Sequence, residues 1–281
     1  MDWHSQLLVV IAVELLTSIL LIAIEERMLL RKIQAAALKP ILDRRSIRKF
    51  ERKPISKRIL EKLVEAGQRA PSNCGVQPYS LIIVDDDETR ERIFDAIGRE
   101  EFMEEALVWV IICCDWARPL KLFEMLEVDT ELGQVYRLVH GIIDATLVAE
   151  NIVTAAEMMG LGSVFVGSIW KSPQRIAQIL QLPADVLPIL LLCIGYPSES
   201  PPKRPRWPLR AVMHENSYIM PDEGIMRNYY REANRTLLQM NYFKKGVNSW
   251  AEHWRRKFKK EDMMLWERNL REELEKIGFL P

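Results

Sequence analysis

The chain has no surplus of charge: 39 Lys and Arg are matched by 39 Asp and Glu over 281 residues. Bulk electrostatics therefore do not favour a polyanion, and no nucleic-acid partner is expected. Cysteine is scarce. Cys74, Cys113, Cys114 and Cys193 show neither Cys-x-x-Cys nor Cys/His ligand spacing, so no metal site is expected and the thiols read as reduced, in a reducing compartment. Cys113, Cys114 and Cys193 lie in apolar runs and read as packing residues, Cys74 as a bystander thiol in a loop. The common hydrolase and phosphate-loop signatures are missing too. There is no Gly-x-Ser-x-Gly, His-Glu-x-x-His or P-loop, and His4, His140, His214 and His253 are scattered. Gly160, Gly162 and Gly167 do not fit G-x-G-x-x-G and follow a helical pattern rather than a strand, which excludes a Rossmann fingerprint.

What is present is apolar enough, at 48% hydrophobic, to bury a sizeable core in one main domain with room for extensions. Residues 7–24 (LLVVIAVELLTSILLIAI) form a run about long enough to span a bilayer as a helix. Its Leu, Ile and Val at about −0.3 to −0.6 kcal/mol each outweigh one acidic residue, Glu14, at about 2.5 to 3.5 kcal/mol. No basic segment precedes the run and no small-residue cleavage pattern follows it, which argues against a cleaved secretory signal. Arg27, Arg31, Lys32 and Lys39 come after it, a bias that keeps the downstream domain in the cytoplasm. Membrane contact through 7–24 is thus an expectation, with a long hydrophobic helix covering an apolar groove of a dimer as the alternative. The expected division is 1–36 as this hydrophobic helix, 37–210 as the main domain and 211–281 as a helical extension.

Strands are expected at 80–84 (SLIIV), 107–114 (LVWVIICC), 163–166 and 188–195 (PILLLCIG). The four acids Asp85 to Glu88 read as the cap of the following helix rather than as metal ligands. A core helix from about Gln134 to Met159 carries Leu138, Ile142, Ile143, Leu147, Val148, Ile152 and Val153 at helical spacing. In the last 70 residues, Pro221 and Asp222 open a helix to about Gln239, and Trp250, Trp254 and Phe258 mark one aromatic face of another. The basic residues around them read as a solvated face.

Three motifs carry chemistry. The first is Arg44-Arg45-Ser46-Ile47-Arg48, whose guanidinium groups match phosphate oxygens by paired, charge-assisted hydrogen bonds. After a bend at Pro54, a helix capped by Ser56 and ending near Gly67 leads to the second, Pro71-Ser72-Asn73-Cys74-Gly75-Val76-Gln77-Pro78-Tyr79. Its hydroxyl and amide groups, on a backbone fixed by Pro and Gly, can read the edge of a flat heterocycle. The third is residues 195–210 (GYPSESPPKRPRWPLR), which five prolines keep extended and which carries Lys203, Arg204 and Arg206.

The order RRSIRKF, PISKRILEKLVEAGQRA, PSNCGVQPY and then GYP…RWPL resembles the nitroreductase family of flavin-dependent oxidoreductases over about residues 40–210. Tyr79, where the family more often has Trp, is the mild departure. The resemblance implies an α+β fold: an α/β/α sandwich on a mixed, mainly antiparallel sheet, homodimeric, with N- and C-terminal helical extensions. It implies FMN at the dimer interface. Arg44, Arg45, Ser46, Arg48 and Arg206, with Arg204 as a weaker match, would hold the phosphate and ribityl chain. Pro71, Ser72, Asn73 and Gln77 would come from the other subunit. Val166, Gly167 and Ser168 would turn backbone N–H groups toward the reactive flavin edge. The implied activity is hydride transfer from NAD(P)H to a small oxidant such as a nitroaromatic or quinone. Reductive dehalogenation, oxygen-dependent flavin modification and a non-catalytic tethered flavoprotein are the alternatives on the same scaffold. The missing acid/base set accords with chemistry carried by a cofactor, with no catalytic side chain assigned.

Overall fold

The structure is a computed structural model that describes the backbone of residues 3–280 and the side chains of residues 20–280 other than residue 23. It divides between Arg44 and Arg45. The N-terminal unit is a single helix, α1 (Trp3–Leu42). Most side chains of the run 7–24 fall outside the described residues, so its reading as a membrane contact does too. Those of Leu20, Leu21, Ile22 and Ile24 are exposed, as are Met28, Leu29, Leu30 and Ile33 beyond them.

The second unit is built on four strands: β1 (Tyr79–Val84), β2 (Val108–Asp115), β3 (Gly162–Val166) and β4 (Val186–Gly195), in the order β1-β2-β4-β3. All three pairings are antiparallel. The parallel component is an isolated bridge between Ser46 and Ser163. β2 is buried at every position, which is why it reads as an unbroken apolar run instead of an alternation. Its odd and even residues go to different layers. Val110, Ile112 and Cys114 pack with Val148, Ile152 and Val153 of α6 (Gln134–Met158), and with Leu63 of α2 (Lys57–Gly67). Trp109, Ile111 and Cys113 pack with Ile93 and Ile97 of α3 (Asp87–Ile97) and Ile176 of α7 (Pro173–Ile179).

These two layers supply most of the stability. A fully buried Ile contributes about 1.5–3 kcal/mol, against about 0–1 kcal/mol for an exposed pair such as Lys62–Glu65. Local signals place the helix starts: the Ser56 hydroxyl accepts from Ile59 N–H, Asp86 from Thr89 and Asp222 from Ile225. Short helices α4 (Glu101–Glu105) and α5 (Ala117–Met125) flank β2. The C-terminal residues form α8 (Glu223–Gln239), α9 (Trp250–Lys257) and α10 (Lys260–Ile277). The last is not a loose appendage, since Leu274, Ile277 and Phe279 enter the α6 side of the core. Among the described residues, α6 is the helix long and apolar enough to cross a membrane, and it is this core helix.

Candidate active site

Two glycines decide where the arginine motif goes. Gly162 of β3 and Gly195 of β4 face each other in register. A Cβ on Gly162 would come within 2.6 Å of Ile47 Cγ1, and one on Gly195 within 2.6 Å of Phe50 Cδ1. The paired bare positions make a trench that seats Ile47 and Phe50, both about 5% exposed. Backbone bonds then run the segment along the end of the β3–β4 pair: Ile47 N–H to Ser163 O (3.0 Å), Glu51 N–H to Tyr196 O (2.8 Å) and Ser198 N–H to Lys49 O (3.0 Å). Two carboxylates distant in the chain, one from a loop and one at the end of α4, take further donors. Glu199 Oε1 accepts from the N–H groups of Arg48 (2.6 Å) and Lys49 (3.2 Å), and Glu105 Oε2 from that of Phe50 (3.1 Å).

This seating brings the third motif beside the first. Arg45 Nη1 donates to Pro201 O at 3.1 Å. The guanidinium of Arg48 lies 5.7 Å from the ring centre of Phe102, and that of Arg204 lies 4.5 Å from that of Tyr242, beyond the end of α8. Burial first, and then the neighbouring Arg204 charge, lower Arg48 below the ordinary arginine range. A second cation from a site far apart in the chain thus bears on Arg48, with Tyr242 and the Glu199 and Glu100 carboxylates acting in the opposite sense. Anionic oxygens beside such guanidinium groups stabilise them. Arg206 is exposed, with a hydrogen bond of 3.4 Å to Pro205 O. Its neighbour Trp207 stacks on Tyr229 of α8 at 3.9 Å. Arg44 belongs to the helical unit, where its N–H donates to Ile41 O.

The other two predicted groups lie elsewhere on the sheet. Val166 ends β3, and Gly167 and Ser168 open a short 3₁₀ turn to Lys171. A Cβ on Gly167 would meet nothing within 4 Å, and Ser168 Oγ is buried without a partner. Open space beside a bare backbone and an orphaned hydroxyl together fit a flat ligand lying against this turn. From Ser163 to Gly167 the strand advances about 13 Å at about 3.3 Å per residue. An anion at the Arg48–Arg204 end and a ring at the Gly167 turn would therefore belong to one elongated molecule.

The loop from Pro71 to Pro78 leads into β1, on the opposite edge of the sheet from β3. Cys74 (φ 51°), Gly75 (φ 68°) and Gln77 (φ 54°) are left-handed there, a conformation that non-glycine residues hold only when surroundings impose it. The surroundings are specific. Gln77 N–H donates to Ser72 Oγ (2.8 Å), its carbonyl accepts from Arg118 Nη2 (3.0 Å), and its side-chain Oε1 accepts from the Tyr79 hydroxyl (3.2 Å). Ser72 Oγ–H donates to Asp144 Oδ2 at 2.6 Å, and Asn73 Nδ2 donates to the Tyr136 hydroxyl at 2.7 Å and lies 3.3 Å from His140 Nδ1. Burial pushes the Tyr79 phenol above its ordinary value, so it stays a donor at neutral pH.

Asp144, Arg118, Glu199 and Tyr242 were not singled out in the sequence. Asp144 alone left a signal, a carboxylate inside an apolar helical run at a position that proves 2% exposed.

The nitroreductase family matches residues 41–196. The chain belongs to the nitroreductase family. Its α+β fold and its standing as an oxidoreductase follow from that membership. An oxygen-insensitive NADPH nitroreductase of Salmonella typhimurium is 32% identical over 222 residues, 78% of this chain and 89% of the relative. An NADPH-dependent oxidoreductase of Staphylococcus aureus is 38% identical over 177 residues, 62% and 70% of the two chains. Among solved structures, NfrA2 of Bacillus megaterium superposes with a TM-score of 0.79 at 27% identity, covering 87% of this chain and 98% of that one. The NADPH:FMN oxidoreductase of Vibrio harveyi, solved with NAD+, gives 0.70 at 25% identity, covering 83% and 97%. The chain carries no cluster of metal-ligating side chains among its described residues.

Proposed function

We propose that the chain binds FMN and passes hydride from NAD(P)H to a small oxidant such as a nitroaromatic or quinone. The carrying observation is the seating of the arginine segment in the glycine trench, with Arg45 bonded to Pro201 of the third motif and the Arg204 charge near enough to lower Arg48, which fits a terminal phosphate of an elongated ligand. NADPH in the names of two relatives supports NAD(P)H as donor. When bound, FMN supplies a centre that accepts and returns a hydride. The protein's part is to hold and orient. Arg45, Ser46, Arg48, Arg204 and Arg206 would hold the phosphate and ribityl chain. Val166, Gly167 and Ser168 would offer backbone donors to the ring, and the loop with Pro71, Ser72, Asn73 and Gln77 would face it.

A homodimer belongs to this reading. The loop and the arginines lie on opposite edges of the sheet, about 14 Å apart at about 4.8 Å per strand. A second protomer can bring its loop to the first protomer's arginines. Val135, Val139, Ile143 and Leu147, each at least 40% exposed, form an apolar stripe at four-residue spacing on α6 that such a partner would cover. Residues 7–24 are proposed as a contact with the cytoplasmic face of a membrane, supported by their apolarity and by the exposed Leu, Ile and Met that continue along α1. Sedimentation with membranes without detergent is the expected outcome.

The deciding experiment is purification followed by flavin titration and an anaerobic NAD(P)H oxidation assay with a nitro or quinone acceptor. The wild type should be yellow and turn over. Arg48→Ala and Arg204→Ala should each weaken FMN binding about 10- to 100-fold, the range for losing a charge-assisted hydrogen bond. A wild-type chain that takes up no flavin would sink the proposal.

A further inference from the structure

Asp144 is a buried carboxylate that the hydride chemistry does not need. It sits on α6 two turns beyond Tyr136 and one beyond His140, so the three share the face turned to the loop. Everything it bonds belongs to that loop. Oδ2 accepts from the Ser72 hydroxyl at 2.6 Å and from Asn73 N–H at 3.2 Å, and Oδ1 lies 3.4 Å from the same N–H. A carboxylate only accepts, so the Ser72 proton must point toward Asp144. That orientation leaves a lone pair of Ser72 Oγ facing Gln77 N–H, which donates to it at 2.8 Å. Gln77 is thereby kept at φ 54°. With its Oε1 accepting from Tyr79, its amide nitrogen remains as an exposed donor.

We propose that Asp144 is the positioning residue of the flavin loop. Through the Ser72 hydroxyl it holds Gln77 in its left-handed conformation and so presents the Gln77 amide to the ring. This rests on the FMN reading. An Asn in its place keeps the size and one acceptor but removes the charge, which turns the charge-assisted bond from Ser72 into an ordinary one and loosens the relay to Gln77.

The test compares wild type, Asp144→Asn, Ser72→Ala and the double variant. Two measurements apply to each: FMN affinity by fluorescence quenching, and amide hydrogen exchange of residues 72–79 in flavin-free protein. Each single variant should bind FMN about tenfold more weakly, and the double no more weakly than either, since both act on one relay. Exchange at Gln77 should accelerate at least tenfold in both singles while the β2 amides stay protected. Wild-type affinity and wild-type exchange in Asp144→Asn would overturn the proposal, and so would additive losses. Should Asp144→Asn fail to fold, Ser72→Ala alone decides, because unchanged Gln77 exchange there removes the relay. If wild type takes up no FMN, the flavin reading falls and with it the positioning role, while the exchange data still report whether Asp144 holds the loop.

Discussion

At the scale of single residues, the four cysteines show how burial overrides intrinsic reactivity. Burial pushes the Cys193 thiol up to about 12 and raises Cys113 and Cys114 further, so none is a thiolate at neutral pH. Cys74 is exposed. Iodoacetamide on the native protein should therefore add a single carbamidomethyl group, located at Cys74 by peptide mass spectrometry, with four after denaturation. A second rapid adduct on native protein would mean the sheet opens far more readily than its packing implies. The serines make the complementary point. Ser72 was legible as a polar residue in a polar loop, yet its hydroxyl is engaged by Asp144 and Gln77, whereas Ser163 Oγ and Ser168 Oγ are buried without a partner.

At the scale of elements, the glycine trench joins stability to function. An alanine at Gly195 must push its methyl into the Phe50 ring, with neighbours at 2.6, 3.0 and 3.2 Å. Overpacking of this kind costs about 1–3 kcal/mol. Gly195→Ala should lower the melting temperature by several degrees and also weaken FMN binding, because Phe50 anchors the segment that carries Arg48. Gly133→Ala is the control: nothing lies within 4 Å of the added carbon, and calorimetry should show only the loss of up to about 1 kcal/mol that alanine causes at the N-cap of α6. Equal effects of the two substitutions would remove the trench from the account. The C-terminal extension acts on the same element from outside, through Tyr242 on Arg204 and Tyr229 on Trp207.

At the scale of the whole molecule, the question is whether one protomer suffices. The apolar stripe on α6 and the separation of the two proposed half-sites by the full width of the sheet both support the proposed second copy. Ile143→Glu places a charge in that stripe, and a charge in a desolvated interface without a partner costs several kcal/mol. Light scattering should show it shift to monomer, with FMN lost although Ile143 is not itself one of the proposed flavin ligands. A dimer retained with full flavin would place the interface elsewhere. The sequence by itself determined the strands, the core helix, the Ser56 and Asp86 caps and the arginine and loop motifs, because period, propensity and capping act over a few residues and leave their pattern in order along the chain. Only the tertiary structure decided that Gly162 lies opposite Gly195, that Arg45 reaches Pro201, and that Asp144 turns from a core position onto the loop. Those contacts join residues up to 156 positions apart, and which distant partners meet is set by sheet register and layer packing rather than by any local pattern.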